Sequence, residues 1–269
     1  MSIGTLPLVA LFVLAACSQR PEPPARLIGG ESTSESHVEM FYGIDGFGTQ
    51  WLRGKEVPSA DAQSAVGQRY YIGGTDGDLG SVRVAATEGT GCNESEFALL
   101  LPPTAPRHLF VAYKHPAEFV PLARWPTARD AIAPRIELVV REVGGVGAVI
   151  FDQVWRFKMP QADGYRFIAV AHSARDIEEP AFGQPGDFDG IFLFKEEAGE
   201  LSLLDHRTVV ADAANGWRAL PHPFAAAVDA ADRRLELFVY FGSYEAERVI
   251  GYDVSGERLV ERTSGGCSL

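Results

Sequence analysis

Three carboxylates, Asp229, Asp232 and Glu236, stand close together in "VDAADRRLELFVYFG", where an acidic stretch runs into an apolar one. Two chemistries are open to carboxylates at that spacing. One is cation binding: calcium takes about six to eight oxygens at roughly 2.3–2.6 Å, supplied by alternating Asp or Asn side chains, a backbone carbonyl and a closing carboxylate. The other is local, with Asp side chains capping the backbone N–H groups of their own turn. Ala231 and Arg233 stand where further oxygens would be wanted, and Arg234 adds a second positive charge. The turn reading is therefore the stronger and calcium the weaker, and no other cofactor is expected. A second acidic pair, Asp187 and Asp189 in "DFDG", is followed by Ile191, Phe192 and Leu193, with no carboxylate before Glu196. With Glu236 this pair could do acid–base work on a glycan, provided two carboxyl groups face one another across about 5 to 9.5 Å.

Other chemistries find little support. His108 and His115 are seven apart, there is no HExxH, and Cys92 has no second cysteine at zinc spacing. No GxSxG elbow occurs, and in "AHSARD" a strand would turn His172 and Ser173 to opposite faces. Gly144, Gly145 and Gly147 in "EVGGVGAVIF" lack the remaining glycine and the following helix of a dinucleotide loop. The aromatics Trp125, Trp155, Trp217, Phe182 and Phe188 could line a groove for carbohydrate or peptide. Phe182 and Phe188 are the better candidates, because they sit in a Gly/Pro/Asp-rich loop where core packing gives no evident reason for them.

The N-terminus carries a more specific pattern. Residues 1–17, "MSIGTLPLVALFVLAAC", form an apolar run closed by small residues and a cysteine, too short to span a bilayer as a mature helix. Leu14-Ala15-Ala16-Cys17 resembles the lipobox of bacterial lipoproteins, in which a peptidase cuts ahead of a cysteine whose thiol carries lipid. No Lys or Arg precedes Cys17, so the basic region of such a leader is reduced to the terminal amine. The resemblance implies a signal peptide over 1–16, acylation (palmitate among the chains) at Cys17, and membrane attachment through that lipid. Two or more chains anchor stably at about 0.8 kcal/mol per buried methylene. Ser18 would permit delivery to the outer membrane, facing the periplasm. Cys92 and Cys267 then remain as an even pair in an oxidising compartment, where a disulfide is the natural outcome. Such a bridge would close a loop of about 175 residues and stabilise by about 4–5 kcal/mol on the chain-entropy model.

Most of these residues fall on or beside expected strands. After Cys17, "SQRPEPPARLIGGESTSESH" is rich in Pro, Ser, Gly and charge and lacks apolar periodicity, so 17–38 reads as a flexible tether. From there short apolar or β-branched runs alternate with glycine and Asp/Asn turns, as in an all-β protein. Candidate strands include "QRYYIG", "HLFVAYK", "RIELVVREV", "GAVIFDQVWRFKM", "YRFIAVAHS", "GIFLFKE" and "RLELFVYFG". Two short helices are expected, at "PSADAQSAV" with Ser59 as N-cap and at "PTARDAIA". Hairpins in "GIFLFKEEAGELSLLDH" and "RVIGYDVSGERLVERT" point to antiparallel meander sheets, arranged as a sandwich or a partial propeller. The second helix would divide an N-terminal β subdomain, 39–125, from a C-terminal one, 135–269, unless the two form one domain. Over roughly residues 150–255 the order of acidic turn then strand, with Asp163 in "ADGYRF" and the loops above, resembles degenerate FG-GAP or VCBS-type β repeats, which implies a repeat scaffold whose acidic turns bind cations in intact members.

A formal net charge of -12 with only 24 Lys and Arg repels phosphate backbones, so nucleic acid is not an expected partner. Between Arg175 and Glu200 eight acids accompany two bases, a solvated loop or a face for a cationic partner. The combined expectation is a lipid-anchored cell-envelope protein that binds an envelope protein or a peptidoglycan-related ligand without catalysis, as an assembly factor or immunity protein does. A periplasmic glycan hydrolase using paired carboxylates and a structural envelope spacer are the alternatives.

Overall fold

Alternating apolar and polar residues between tight turns build a stack of sheets here. The computed structural model describes residues 39–44, 47–51, 59–89, 97–160, 164–173, 183–211, 220–229, 233–242 and 246–268, all within one compact unit, Glu35–Leu269. The strands are β1 (Met40–Ile44), β2 (Phe47–Trp51), β3 (Arg69–Gly74), β4 (Gly77–Arg83), β5 (Ala86–Gly89), β6 (Phe97–Leu100), β7 (Phe110–Tyr113), β8 (Glu118–Phe119) and β9 (Ala123–Arg124). After the second helix come β10 (Val149–Lys158), β11 (Tyr165–Ser173), β12 (Phe188–Glu197), β13 (Glu200–Val210), β14 (Leu220–Val228), β15 (Leu235–Gly242), β16 (Ala246–Asp253) and β17 (Val260–Ser268). The helices are α1 (Ser59–Ser64) and α2 (Arg129–Glu142), the latter entered through a 3-10 turn, Pro126–Ala128.

Three antiparallel sheets result. A seven-stranded sheet has the order β4-β3-β7-β1-β2-β6-β5, an outer sheet is the meander β13-β12-β11-β10-β9, and a central sheet is the meander β17-β16-β15-β14-β8. The class is all-β with two helices, as the sequence pattern implies. Both expected hairpins are present: β12 and β13 meet across Ala198 and Gly199, both at positive φ (54° and 84°), the backbone of a two-residue primed turn.

One face of the central sheet, through Ala226, Val228, Leu237, Val239 and Ile250, packs on Trp155, Phe157, Ile168, Val170 and Leu193 of the outer sheet. Its other face, through Phe224, Ala225, Phe238 and Val249, packs on Met40, Tyr42 and Val111 of the seven-stranded sheet. The far side of the seven-stranded sheet is covered by Ala62 and Ala65 of α1 and its C-terminal turn, and the far side of the outer sheet by α2. A sheet covered on both faces must be apolar on both, which is why "PFAAAV" in β14 and "LELFV" in β15 lack the polar alternation of a half-exposed strand.

Two departures from the sequence reading have physical causes. "RIELVVREV", expected as a strand, forms the C-terminal half of α2: Ile132, Ile136, Val139 and Val140 fall on one helical face and are buried against Phe167, Phe188 and Phe192. Burial of that stripe outweighs the helix-averse β-branched residues and Pro134, whose missing N–H removes one helical bond. "LPHPFAAAV", not anticipated as a strand, is β14. Its outer neighbour β8 reaches only Ala227 and Val228, so Pro221 and Pro223 turn their donor-less nitrogens to an uncovered edge, where a proline costs no ladder bond.

The docking of α2 is testable by urea unfolding. Ile136→Ala is expected to lower stability by about 2–4 kcal/mol through lost burial and a residual cavity. Leu138→Ala, at a position 58% exposed, should change it by less than about 0.5 kcal/mol; equal effects would mean that the helix does not pack as described.

Candidate functional site

The described residues of the acidic stretch lie where β14 turns into β15. Asp229 N–H donates to Arg234 O at 2.8 Å and Arg233 N–H to Asp229 O at 2.9 Å, closing a tight hairpin with Arg233 at φ +60°. Arg234 Nη1 donates to Asp253 Oδ2 at 2.9 Å, and Arg233 Nη2 to Glu118 Oε2 at 3.0 Å. Asp253 is nearly buried and its other oxygen accepts from Ser255 N–H at 2.8 Å, while Ser255 Oγ accepts from Leu235 N–H at 2.7 Å. The positive charge at this turn thus comes from its own arginines. Asp232 lies outside the described residues. Among the described residues no group of three or more His, Cys, Asp or Glu side chains converges as a metal site.

Glu236 points away from that turn. It sits on the same face of β15 as Phe238, between the central and seven-stranded sheets, and is 1% exposed. Tyr113 O–H donates to its Oε2 at 3.3 Å and Thr263 Oγ1 to its Oε1 at 3.5 Å. Gly251 makes the room: a Cβ there would lie 2.1 Å from Thr263 Oγ1 and 3.3 Å from Glu236 Oε1. The carboxyl group joins two sheets through hydrogen bonds, as a buried polar group must.

Asp187 and Asp189 belong to the outer sheet, at the end where β10, β11, β12 and β13 present Val149, Ser173, Phe188 and Val210. Asp187 Oδ2 accepts from Gln184 N–H at 2.8 Å, capping the turn that carries Gly186. That glycine, at φ +90°, gives its carbonyl to Val146 N–H at 2.9 Å, and a Cβ would lie 2.4 Å from Val146 Cγ2. Ser173 Oγ accepts from Phe188 N–H at 2.8 Å. Asp189 is buried opposite His172. The glycan-cleaving arrangement of Asp187 and Asp189 with Glu236 is thereby corrected: the central sheet lies between Glu236 and the outer sheet, so the three carboxylates share no cleft.

Of the aromatics, Phe188 is corrected from contact residue to core, 1% exposed beneath α2, and Trp155 is equally buried against the central sheet. Cys17, Phe182, Cys92 and Trp217 lie outside the described residues, and of Cys267 only its backbone place opposite Glu247 in β17 is described. Trp125 instead takes part in a group that the sequence reading did not foresee. The guanidinium of Arg156 lies over the Trp125 ring, 3.9 Å from its centroid, and over the Tyr165 ring at 4.2 Å. Lys158 stands directly opposite Tyr165 and two residues beyond Arg156 on the same face of β10. Regular alternation of "RFK" in β10 places the two cations together; nothing local announces the rings.

His222, on β14, meets the Trp155 ring edge-on at 6.1 Å. Burial lowers its pKa below the ordinary 6.5, with Asp152 opposing and Arg124 reinforcing the shift. A neutral ring is therefore favoured in the folded state, and below pH about 6.5 the unfolded chain binds more protons.

Two outcomes follow from these contacts. EDTA should leave the melting temperature unchanged, whereas Arg234→Ala, which strips a charged partner from nearly buried Asp253, should cost about 1–2 kcal/mol; a calorimetric trace that drops with EDTA would restore the cation. For His222, the urea midpoint should fall on going from about pH 7 to about pH 5.5, and His222→Gln should fall less over the same interval; parallel profiles would refute the linkage.

No family model, curated protein or solved structure matches this chain.

Proposed function

We propose that this chain is an exported lipoprotein, acylated at Cys17, whose stacked β body works in the cell envelope, at the outer membrane facing the periplasm, by binding rather than by chemistry. The observation that carries the reading is Leu14-Ala15-Ala16-Cys17, closing an apolar leader and followed at once by a Pro-, Ser- and Gly-rich stretch. Acyl chains on that cysteine would hold the body at a membrane surface on a tether of about twenty residues, free to reach a partner.

The use of the body's carboxylates supports binding over hydrolysis. Asp187 caps a turn, Asp253 holds Arg234, and Glu236 is sealed between two sheets. General acid–base catalysis on a glycan needs two carboxyl groups facing a cleft, and of the candidates that the sequence offered Asp187 and Glu236 are engaged within the fold. A bridge between Cys92 and Cys267 is part of the proposal: it would tie β17 to the segment between β5 and β6 and suits an oxidising compartment. The ligand is an envelope protein or a peptidoglycan-related molecule.

Metabolic labelling with a fatty acid is the test. The wild-type chain should take up label and partition with membranes, and Cys17→Ala should lose the label entirely. Label persisting in Cys17→Ala, or a wild-type chain found unlabelled and uncut in the cell interior, would sink the reading.

A further inference from the structure

We propose that the stack of Trp125, Arg156 and Tyr165, with Lys158 beside it, is a binding site for a carboxylate-bearing ligand. The proposal concerns the folded body and does not depend on acylation at Cys17.

The stack has the chemistry of a preorganised receptor. A guanidinium offers five N–H donors, all in its plane, and its two faces are the weakly hydrated part that aromatic rings cover well. The Arg156 guanidinium carbon lies 3.9 Å from the centroid of the Trp125 ring and 4.2 Å from that of the Tyr165 ring. Rings packed against the group leave its N–H edge to make hydrogen bonds. Among the described residues that edge has no hydrogen bond and no ion pair. Lys158, exposed and likewise without a carboxylate partner among the described residues, places a second positive charge on the same face.

The chain carries 36 acids against 24 Lys and Arg, and other arginines find carboxylates: Arg233 with Glu118, Arg234 with Asp253, Arg248 with Glu261. Arg156 has no such partner among the described residues. The stack is anchored by framework that would not give way to a ligand: Trp125 N–H donates to Val154 O at 2.7 Å, the Trp125 ring meets Phe167 edge-on at 6.3 Å, and Arg156 and Tyr165 lie on paired strands. It is also accessible, since Tyr165 is 36% exposed and Lys158 lies open beside it.

A planar slot favours a planar anion. A carboxylate can lie in the guanidinium plane and accept two parallel N–H bonds, and its flat shape suits a group flanked by rings better than a tetrahedral phosphate does. Because the rings have already frozen the arginine side chain, binding does not lose that rotamer freedom again. Lys158 adds reach to a second carboxylate of a diacid or an acidic peptide segment.

The experiment follows the Arg156 Nε–H resonance of the full-length protein in NMR titrations with acetate, glutarate and inorganic phosphate. Saturable shifts with acetate, tighter with glutarate and weaker with phosphate, are expected. Arg156→Lys keeps the charge but removes the planar fork, so glutarate binding, read by the Tyr165 ring resonances, should weaken by about tenfold or more. Lys158→Gln, a change at an exposed position that leaves the stack intact, should weaken glutarate more than acetate. No saturable shift with any anion would overturn the proposal and leave the stack as a hydrated latch between Trp125 and the outer sheet. Equal response to phosphate would overturn the carboxylate assignment, and unchanged glutarate binding in folded Arg156→Lys would overturn the role of the fork.

Discussion

A sheet covered on both faces has no solvent side on which to place a charged residue without a partner. The central sheet lives under that constraint, with the outer sheet against one face and the seven-stranded sheet against the other. Its large side chains alternate between two dry interfaces: Leu235, Leu237 and Val239 go one way and Phe238 the other, and each fully buried one contributes about 1.5–3 kcal/mol relative to exposure. Glu236, a carboxyl group set into one of these interfaces, is acceptable because Tyr113 and Thr263 reach it and Gly251 leaves space for it. The same constraint sends polar work to the margins of the stack.

At those margins ionic contacts fasten the layers. Leu259 N–H donates to Asp205 Oδ2 at 2.8 Å, Arg207 donates to Leu259 O, and Lys195 pairs with Glu257 at 3.6 Å. All three join the outer sheet to the link between β16 and β17. Edge control follows the same economy. Pro221 and Pro223 occupy the part of β14 that β8 does not cover, where they discourage a further strand from pairing.

The acidic turns show why a ligand pattern on paper need not make a site. Cation sites demand side chains that point inward at one focus, whereas successive residues of a strand point to opposite faces. Glu236, the first acid inside β15, therefore turns into a sheet interface while Asp229 stays in the hairpin, and the arginines between them find Asp253 and Glu118. The stack around Arg156 is the converse case. Its residues come from the entry to α2, from β10 and from β11, and adjacent strands give them one face.

Whatever short-range periodicity and turn chemistry govern could be read from the residues alone. The all-β class, the hairpins of β12 with β13 and β16 with β17 and a short helix near Ser59 were all legible, because each depends on neighbours a few residues apart. Three things depended on contacts that the chain makes only when folded. Residues 135–142 are helical because Ile132, Ile136, Val139 and Val140 find the aromatic face of the outer sheet to cover. Phe188 is core because α2 lies over it, and Glu236 is sealed because Tyr113, 123 residues away, closes on it. Non-local pairing decides which face of a strand is inside, and no local spacing encodes which distant residue will stand opposite.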